Sequence, residues 1–408
     1  MRTRQFAMLA LILLVIATLG NSVAYAASLC VHPSGAGQCY SSIQAAVDAA
    51  NSGDRILIKA GKYIEQVTIS GKDLALVGRS GVVIQAPADM QDTLSPIFGF
   101  PGRPILLVRD ADVTVRDLTI SGANSAENNP FLQGITFLNA GGVIRDNIVK
   151  DIGFGEPRLP LDENGEPVYQ GDAIVVINFM AVPRFVEITK NRVVNFNNNG
   201  ILVDAEADFN DPFAANLTVQ VTDNTLIASG PTEAIDQWGI FIGGFGFADP
   251  QSSVTGTIRG NHLRDLVTVG AHPLPSIGIV MFNPVNLEVK NNTIENVNIG
   301  LAANQVVGAQ IVRNQITGPR SDVFGSSGLL ISGTDSYVFE NKFKKLDTGV
   351  LLFVEDPGLG SALNMVMDEN RFDQVAMDIM TGPGAQMEMA TAAARTTPTP
   401  LWTKLPHR

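Results

Sequence analysis

An asparagine that keeps the same company eight times constrains this chain more than any other feature. Asn147, Asn191, Asn224, Asn261, Asn292, Asn314, Asn341 and Asn370 each stand three residues after one apolar residue and two before another. The upstream partners run from Ile144 and Ile188 to Val338 and Met367; the downstream partners run from Val149 and Val193 to Phe343 and Phe372. The spacings of 44, 33, 37, 31, 22, 27 and 29 residues are unequal, so the unit has a fixed core and variable insertions. Periods of this size belong to stacked supersecondary units in which each unit buries its apolar face against its neighbours.

Between the asparagines runs a second pattern, a glycine followed by apolar residues. It occurs at Gly134-Ile135, Gly200-Ile201, Gly239-Ile240, Gly278-Ile279, Gly300-Leu301, Gly328-Leu329 and Gly349-Val350, with a weaker copy at Ala173-Ile174. Each repeat thus holds three short segments: one before the asparagine, one after it and one after the glycine. Segments this short, rich in β-branched residues and separated by turn formers, read as strands. Three strands per repeat, stacked about 4.8 Å apart, make an all-β, single-stranded parallel β-helix of about ten coils. The asparagine is expected at a corner, its amide turned inward, tolerating left-handed backbone and bonded to the matching amides above and below.

The ends differ from this body. Arg2 and Arg4 precede an apolar run over residues 7–19, and Ala24-Tyr25-Ala26 is a small-x-small cleavage pattern, so residues 1–26 read as a secretory signal peptide. The run is short for a membrane span, and the protein is expected to be secreted, not membrane-embedded. Cys30 and Cys39, the two cysteines of the chain, flank a loop with Pro33, Gly35 and Gly37. In an exported protein such a pair is expected as a disulfide, the other reading being two free thiols. Ile43, Ala46, Val47 and Ala50 share one face of a predicted helix over residues 42–50, with Ser41 and Gln44 at capping-box spacing. With the disulfide loop it forms an expected N-terminal cap over residues 27–53, the solenoid following over 54–380. Residues 381–408 lack the strand pattern and read as a disordered tail. A net charge of -12 argues against nucleic acid as partner.

The order Ser42 to Ala50, Gly53-Asp54-Arg55-Ile56 and Gly61-Lys62-Tyr63-Ile64-Glu65 resembles the N-terminal opening of the pectate-lyase-like, right-handed parallel β-helix superfamily. The asparagine units resemble the parallel β-helix repeat of its carbohydrate-binding and sugar-cleaving members. The resemblance covers nearly all of the mature chain and implies right-handed winding. Gly61 to Glu65, Gln91-Asp92-Thr93-Leu94 and Gly102-Arg103-Pro104 are also similar to pectin methylesterase segments. That esterase gathers two aspartates, glutamines and an arginine from several coils. Here the earlier glutamine motif and the later aspartate motif are missing, as is a polygalacturonase-like Gly-His-Gly.

Fold alone does not assign an activity. The long insertions cluster around the strands that start near Ala173, Gly200, Gly239 and Gly278, where they are expected to wall a groove over the glycine-strand sheet. Its floor would be the outward residues Thr136, Val175, Leu202, Phe241 and Val280. Either the loops pack onto this apolar floor, or it receives an apolar or sugar-ring surface. Trp238, Phe241 and Asp172 are the candidates to bind substrate, Trp238 either stacking on a sugar or packing a loop. His272, Asp236 and Glu233 are the candidates for acid–base work. Asp204, Glu206, Asp208 and Asp211 supply the hard oxygens calcium takes, or else form a solvated acidic loop. Met365 and Met367 fall on inward slots and read as core, although methionine clusters also suit copper(I). The reading is an exported β-helix protein that binds, and could cleave as a lyase or hydrolase, a carbohydrate polymer. The alternative is a non-catalytic surface protein for adhesion or assembly.

Overall fold

The computed structural model of the chain describes residues 26–92, 94–97, 100–125, 128–129, 131–153, 171–206, 215–233, 235–243, 252–270, 274–319, 325–353, 365–382 and 387–389. Alternation of apolar and polar residues along each strand sends one set inward. Val186 and Ile188 before an asparagine, Val193 after it, and Ile201 and Val203 after a glycine are all fully buried. Stacked coil upon coil, they fill one continuous lumen, each such side chain contributing roughly 1.5–3 kcal/mol by leaving water.

Strand pairing follows the repeat. The strands before the asparagines form a thirteen-stranded sheet, from Ser28–Val31 to Met387–Met389, parallel throughout. It therefore runs past residue 380, where the sequence repeat stops. The strands after the asparagines and after the glycines belong to a second, twenty-one-stranded sheet. These two rows fuse because Lys342–Leu352 and Arg371–Thr381 run through both. Only a left-handed corner residue marks the bend in each, Lys345 at φ 54° and Gln374 at φ 57°. Columns stay in register over long distances: Ile201, Ile240, Ile279, Leu301, Leu329 and Val350 are successive partners. One pairing is antiparallel, Leu94–Ile97 against Phe100–Arg109. The architecture is a parallel β-helix.

The asparagines form the expected ladder. From Asn147 to Asn341 each side-chain amide donates to Oδ1 of the next asparagine at 2.9–3.1 Å. Its second N–H reaches the carbonyl of the upstream apolar residue one coil back, as Asn224 does to Ile188 at 2.8 Å. Oδ1 accepts a second bond from the backbone N–H of the preceding asparagine, as Asn261 Oδ1 does from Asn224 at 2.9 Å. An interior amide thus uses both donors and both lone pairs, which buried polar groups require. Leu118 holds the same slot at the N-terminal end, where its backbone N–H donates to Asn147 Oδ1.

One expectation about this corner is corrected. The left-handed residue is the one before the asparagine: Asp146, Lys190, Asp223, Asn291, Arg313, Glu340 and Glu369 have φ between 54° and 57°, and Gly260 stands at 67°. The asparagine must aim its amide inward, so the reversal falls on its neighbour, whose side chain faces water.

The glycine column has a steric cause. A Cβ on Gly239 would lie 2.5 Å from the carbonyl oxygen of Gly278, and one on Gly278 the same distance from that of Gly300. Successive coils bring backbone against backbone at this point, leaving no room for a side chain.

At the N-terminal end the helix spans Ile43–Ala49, with Ser42 as N-cap accepting from Ala45 N–H. The Ser41–Gln44 capping box does not form. Glu65 takes that place, its carboxylate accepting from Ile43 N–H at 2.8 Å and Gln44 N–H at 2.9 Å. The freed Gln44 side chain bonds both backbone groups of Thr68 instead. Cys30 and Cys39 are joined as a disulfide. No helix of the described residues is long and apolar enough to cross a membrane.

Candidate functional site

The expected floor is not an open surface. Thr136, Val175, Phe241 and Val280 are buried, as are Leu138, Ile177 and Asp204 further along the same strands. Leu107, Leu138, Val175 and Ile177 make a second apolar cluster outside the lumen, with Phe179 and Leu202 against it. The groove over the sheet is corrected accordingly: apolar side chains standing outward gain most by being covered.

At the edge where the glycine strands begin, Asp172, Trp238 and Ile277 are half-buried and Asn199 is buried. Asn199, Trp238 and Ile277 are Cα partners on three consecutive coils, and Asp172, one coil before, is hydrogen-bonded to Asn199. Trp238 opens the strand Trp238–Gly243, docked by its N–H on the carbonyl of Asn198. Its ring stacks on Phe241 with centroids 5.5 Å apart and planes 16° from parallel. Phe241 is buried while Trp238 is half-buried, so a covered ring backs an indole that still meets solvent.

Two coils away, Asp172 Oδ1 accepts three bonds: from Asn198 Nδ2 at 3.0 Å, Asn199 N–H at 3.1 Å and Asn199 Nδ2 at 2.8 Å. Burial pushes the Asp172 carboxyl above the usual carboxylate range, against the opposing pull of those asparagine donors. Asn199 Oδ1 and Asn197 Nδ2 lie buried without a hydrogen-bond partner among the described residues. Asn197 is pressed between Gly153 and Gly171, where any Cβ would strike its side chain. This asparagine clamp was missed from the sequence, although the run Asn197-Asn198-Asn199 beside a glycine strand was a signal for a polar corner.

The remaining candidates separate. Asp236 is buried at 3% exposure and Glu233 is exposed, three residues apart on the approach to Trp238. His272 lies outside the described residues, so the acid–base set is not brought together. Asp204 and Glu206 are 2% and 5% exposed, which does not fit a solvated acidic loop. Asp208 and Asp211 lie outside the described residues. Among those described, no three His, Cys, Asp or Glu side chains gather to hold a metal. Met365 and Met367 are buried in the lumen, as core. Asp92 and Arg103, from the segments similar to the esterase, form an ion pair at 2.6 Å. Gln66 beside them bonds the backbone of Gln91 and Pro104, which ties a loop down and leaves its amide spent.

No family model matches the sequence, and no curated protein matches it. The fold is similar to solved structures. One is a mannuronic acid specific polysaccharide family 6 lyase from human gut microbiota, at 11% identity, TM-score 0.49, covering 88% of this chain and 78% of that one. Another is DFA-IIIase from Arthrobacter chlorophenolicus A6 without its lid, at 13% identity, TM-score 0.48 and 82% of each chain. A third is polygalacturonase from Erwinia carotovora ssp. carotovora, at 9% identity, TM-score 0.45, covering 89% and 97%. At these values the likeness extends to the coil architecture and no further.

Proposed function

We propose that this chain is an exported β-helix protein that binds a carbohydrate polymer along the edge where its glycine strands begin. The observation that carries the reading is the register of Asn199 and Trp238, with Asp172 hydrogen-bonded to Asn199 one coil earlier. It sets a carboxyl, an amide and an indole in one row, about 4.8 Å apart. A sugar ring offers an apolar face and a hydroxyl-bearing edge. An aromatic ring meets the first, while a planar polar group such as that of Asp172 meets the second. Trp238 is the stacking platform, held flat by Phe241.

Export is supported by the Cys30–Cys39 disulfide, a bond of oxidising compartments. The same reading takes the winding as right-handed. It takes the helix Ile43–Ala49 as the cap of the lumen, with Ile43, Ala46 and Val47 buried beneath it. Cleavage is a second reading, favoured by Asp172. A carboxyl raised by burial keeps its proton to higher pH, as a general acid must.

The test is binding of the purified mature protein to a panel of neutral and acidic glycan polymers, by calorimetry, with product analysis for cleavage. Trp238→Ala is expected to weaken binding of the recognised polymer at least about tenfold, or 1.4 kcal/mol, with an unchanged melting temperature. If no polymer binds, or if the variant binds as well as the parent, the row is not a glycan site and adhesion or assembly is the better account.

A further inference from the structure

The C-terminal coils carry a second feature, over the asparagine corner and apart from the Trp238 row. A groove of about 670 Å³ is lined there by Arg313, Gln315, Glu340, Lys342, Glu369 and Arg371, among others. Gln315, Lys342 and Arg371 are Cα partners on three consecutive coils. Lys342 and Arg371, both exposed, therefore stand side by side about 4.8 Å apart. Like charges in direct register repel one another.

Several other cations of the outer surface carry an acid partner. Arg116 pairs with Asp117, Lys150 with Asp151, Arg264 with Asp265, and Lys344 with Asp373 one coil on. In the groove itself Arg313 takes Glu340. Glu369 sits at the left-handed corner, φ 54°, its backbone N–H on Asp368 Oδ1. Among the described residues no carboxylate comes within ion-pair distance of Lys342 or Arg371. Three cations and two acids line the groove, a local positive excess on a chain of net charge -12.

We propose that Lys342 and Arg371 form an oxyanion site in which one carboxylate, sulfate or phosphate group of a ligand bridges the two cations. Arg371 supplies a planar fork of donors and Lys342 a compact charge; Gln315, one coil back, offers an amide at the same edge. Filling the site removes the repulsion that the register imposes. The inference does not depend on the Trp238 row.

The test is calorimetric titration at low ionic strength with inorganic sulfate, inorganic phosphate and a galacturonate trisaccharide. The parent is compared with Lys342→Ala, Arg371→Ala and, as a control for an exposed cation elsewhere, Lys62→Ala. At least one probe is expected to saturate at one per chain. Its affinity should fall about tenfold or more in Lys342→Ala and Arg371→Ala, stay unchanged in Lys62→Ala, and weaken as sodium chloride screens the charges. Tighter binding of the trisaccharide would assign the site to an acidic glycan; tighter binding of the inorganic ions would assign it to a free anion. Absence of saturable binding by every probe, or binding by the two groove variants as tight as by the parent, overturns the proposal.

Discussion

At each asparagine corner two adjacent residues divide the work. One turns its amide into the lumen, and the one before it takes the left-handed backbone, at a cost of about 1–2 kcal/mol for an L-residue. The compensation is the ladder, in which each interior amide makes four bonds. Replacing Asn292 with leucine removes the partner of Ile258 C=O and both bonds that Asn261 donates to Asn292 Oδ1. Leucine fits such a slot, as Leu118 shows, but only at the end of the ladder, where no asparagine one coil back depends on it. At an interior slot the orphaned groups should lower stability by about 3 kcal/mol or more, read from urea unfolding midpoints. A change below about half a kcal/mol would show that the ladder bonds carry no stability. The asparagine itself was legible because its amide chemistry recurs in phase. The left-handed neighbour was not, because Asp146, Lys190, Arg313 and Glu340 share no chemistry. Their conformation is imposed by the residue that follows them.

At the scale of the element, the glycine strand shows what periodicity can and cannot carry. The alternation after Gly200, Gly239 and Gly278 reads directly as strand. The need for glycine does not, because the obstacle is a carbonyl on the next coil, some 22 to 39 residues away in sequence at these positions. Gly239→Ala would press a methyl against Gly278 C=O and Leu263 Cδ2 at 2.5 Å each. Both are parts of a packed stack, so the expected loss is about 1–3 kcal/mol, seen as a lower urea midpoint. An unchanged midpoint would mean that the coils part easily. The helix Ile43–Ala49 makes the same point from the other side. Its apolar face was readable from spacing. Its N-terminal partner Glu65 was not, because that carboxylate arrives from just beyond the strand Gly61–Ile64, 22 residues later.

For the whole molecule, stacking makes the chain's outer surface a set of columns, one residue per coil, and function is sought in columns that break the pattern. Trp238 and Asp172 fall at one edge, two coils apart, with Phe241 buried behind the indole. The covering of the floor was not legible, since an apolar outward residue looks the same whether it meets a loop or a ligand. Nor was the clamp on Asp172, which needs the coil at Asn198 and Asn199 in place before its geometry exists. The Trp238 indole is expected to meet the ligand. The chain has two tryptophans, so Trp402→Phe leaves Trp238 as the sole reporter. Titrating that variant with the recognised glycan should shift the indole emission saturably, with a midpoint equal to the calorimetric dissociation constant. Calorimetric binding with no change in Trp238 emission across the titration would contradict the account.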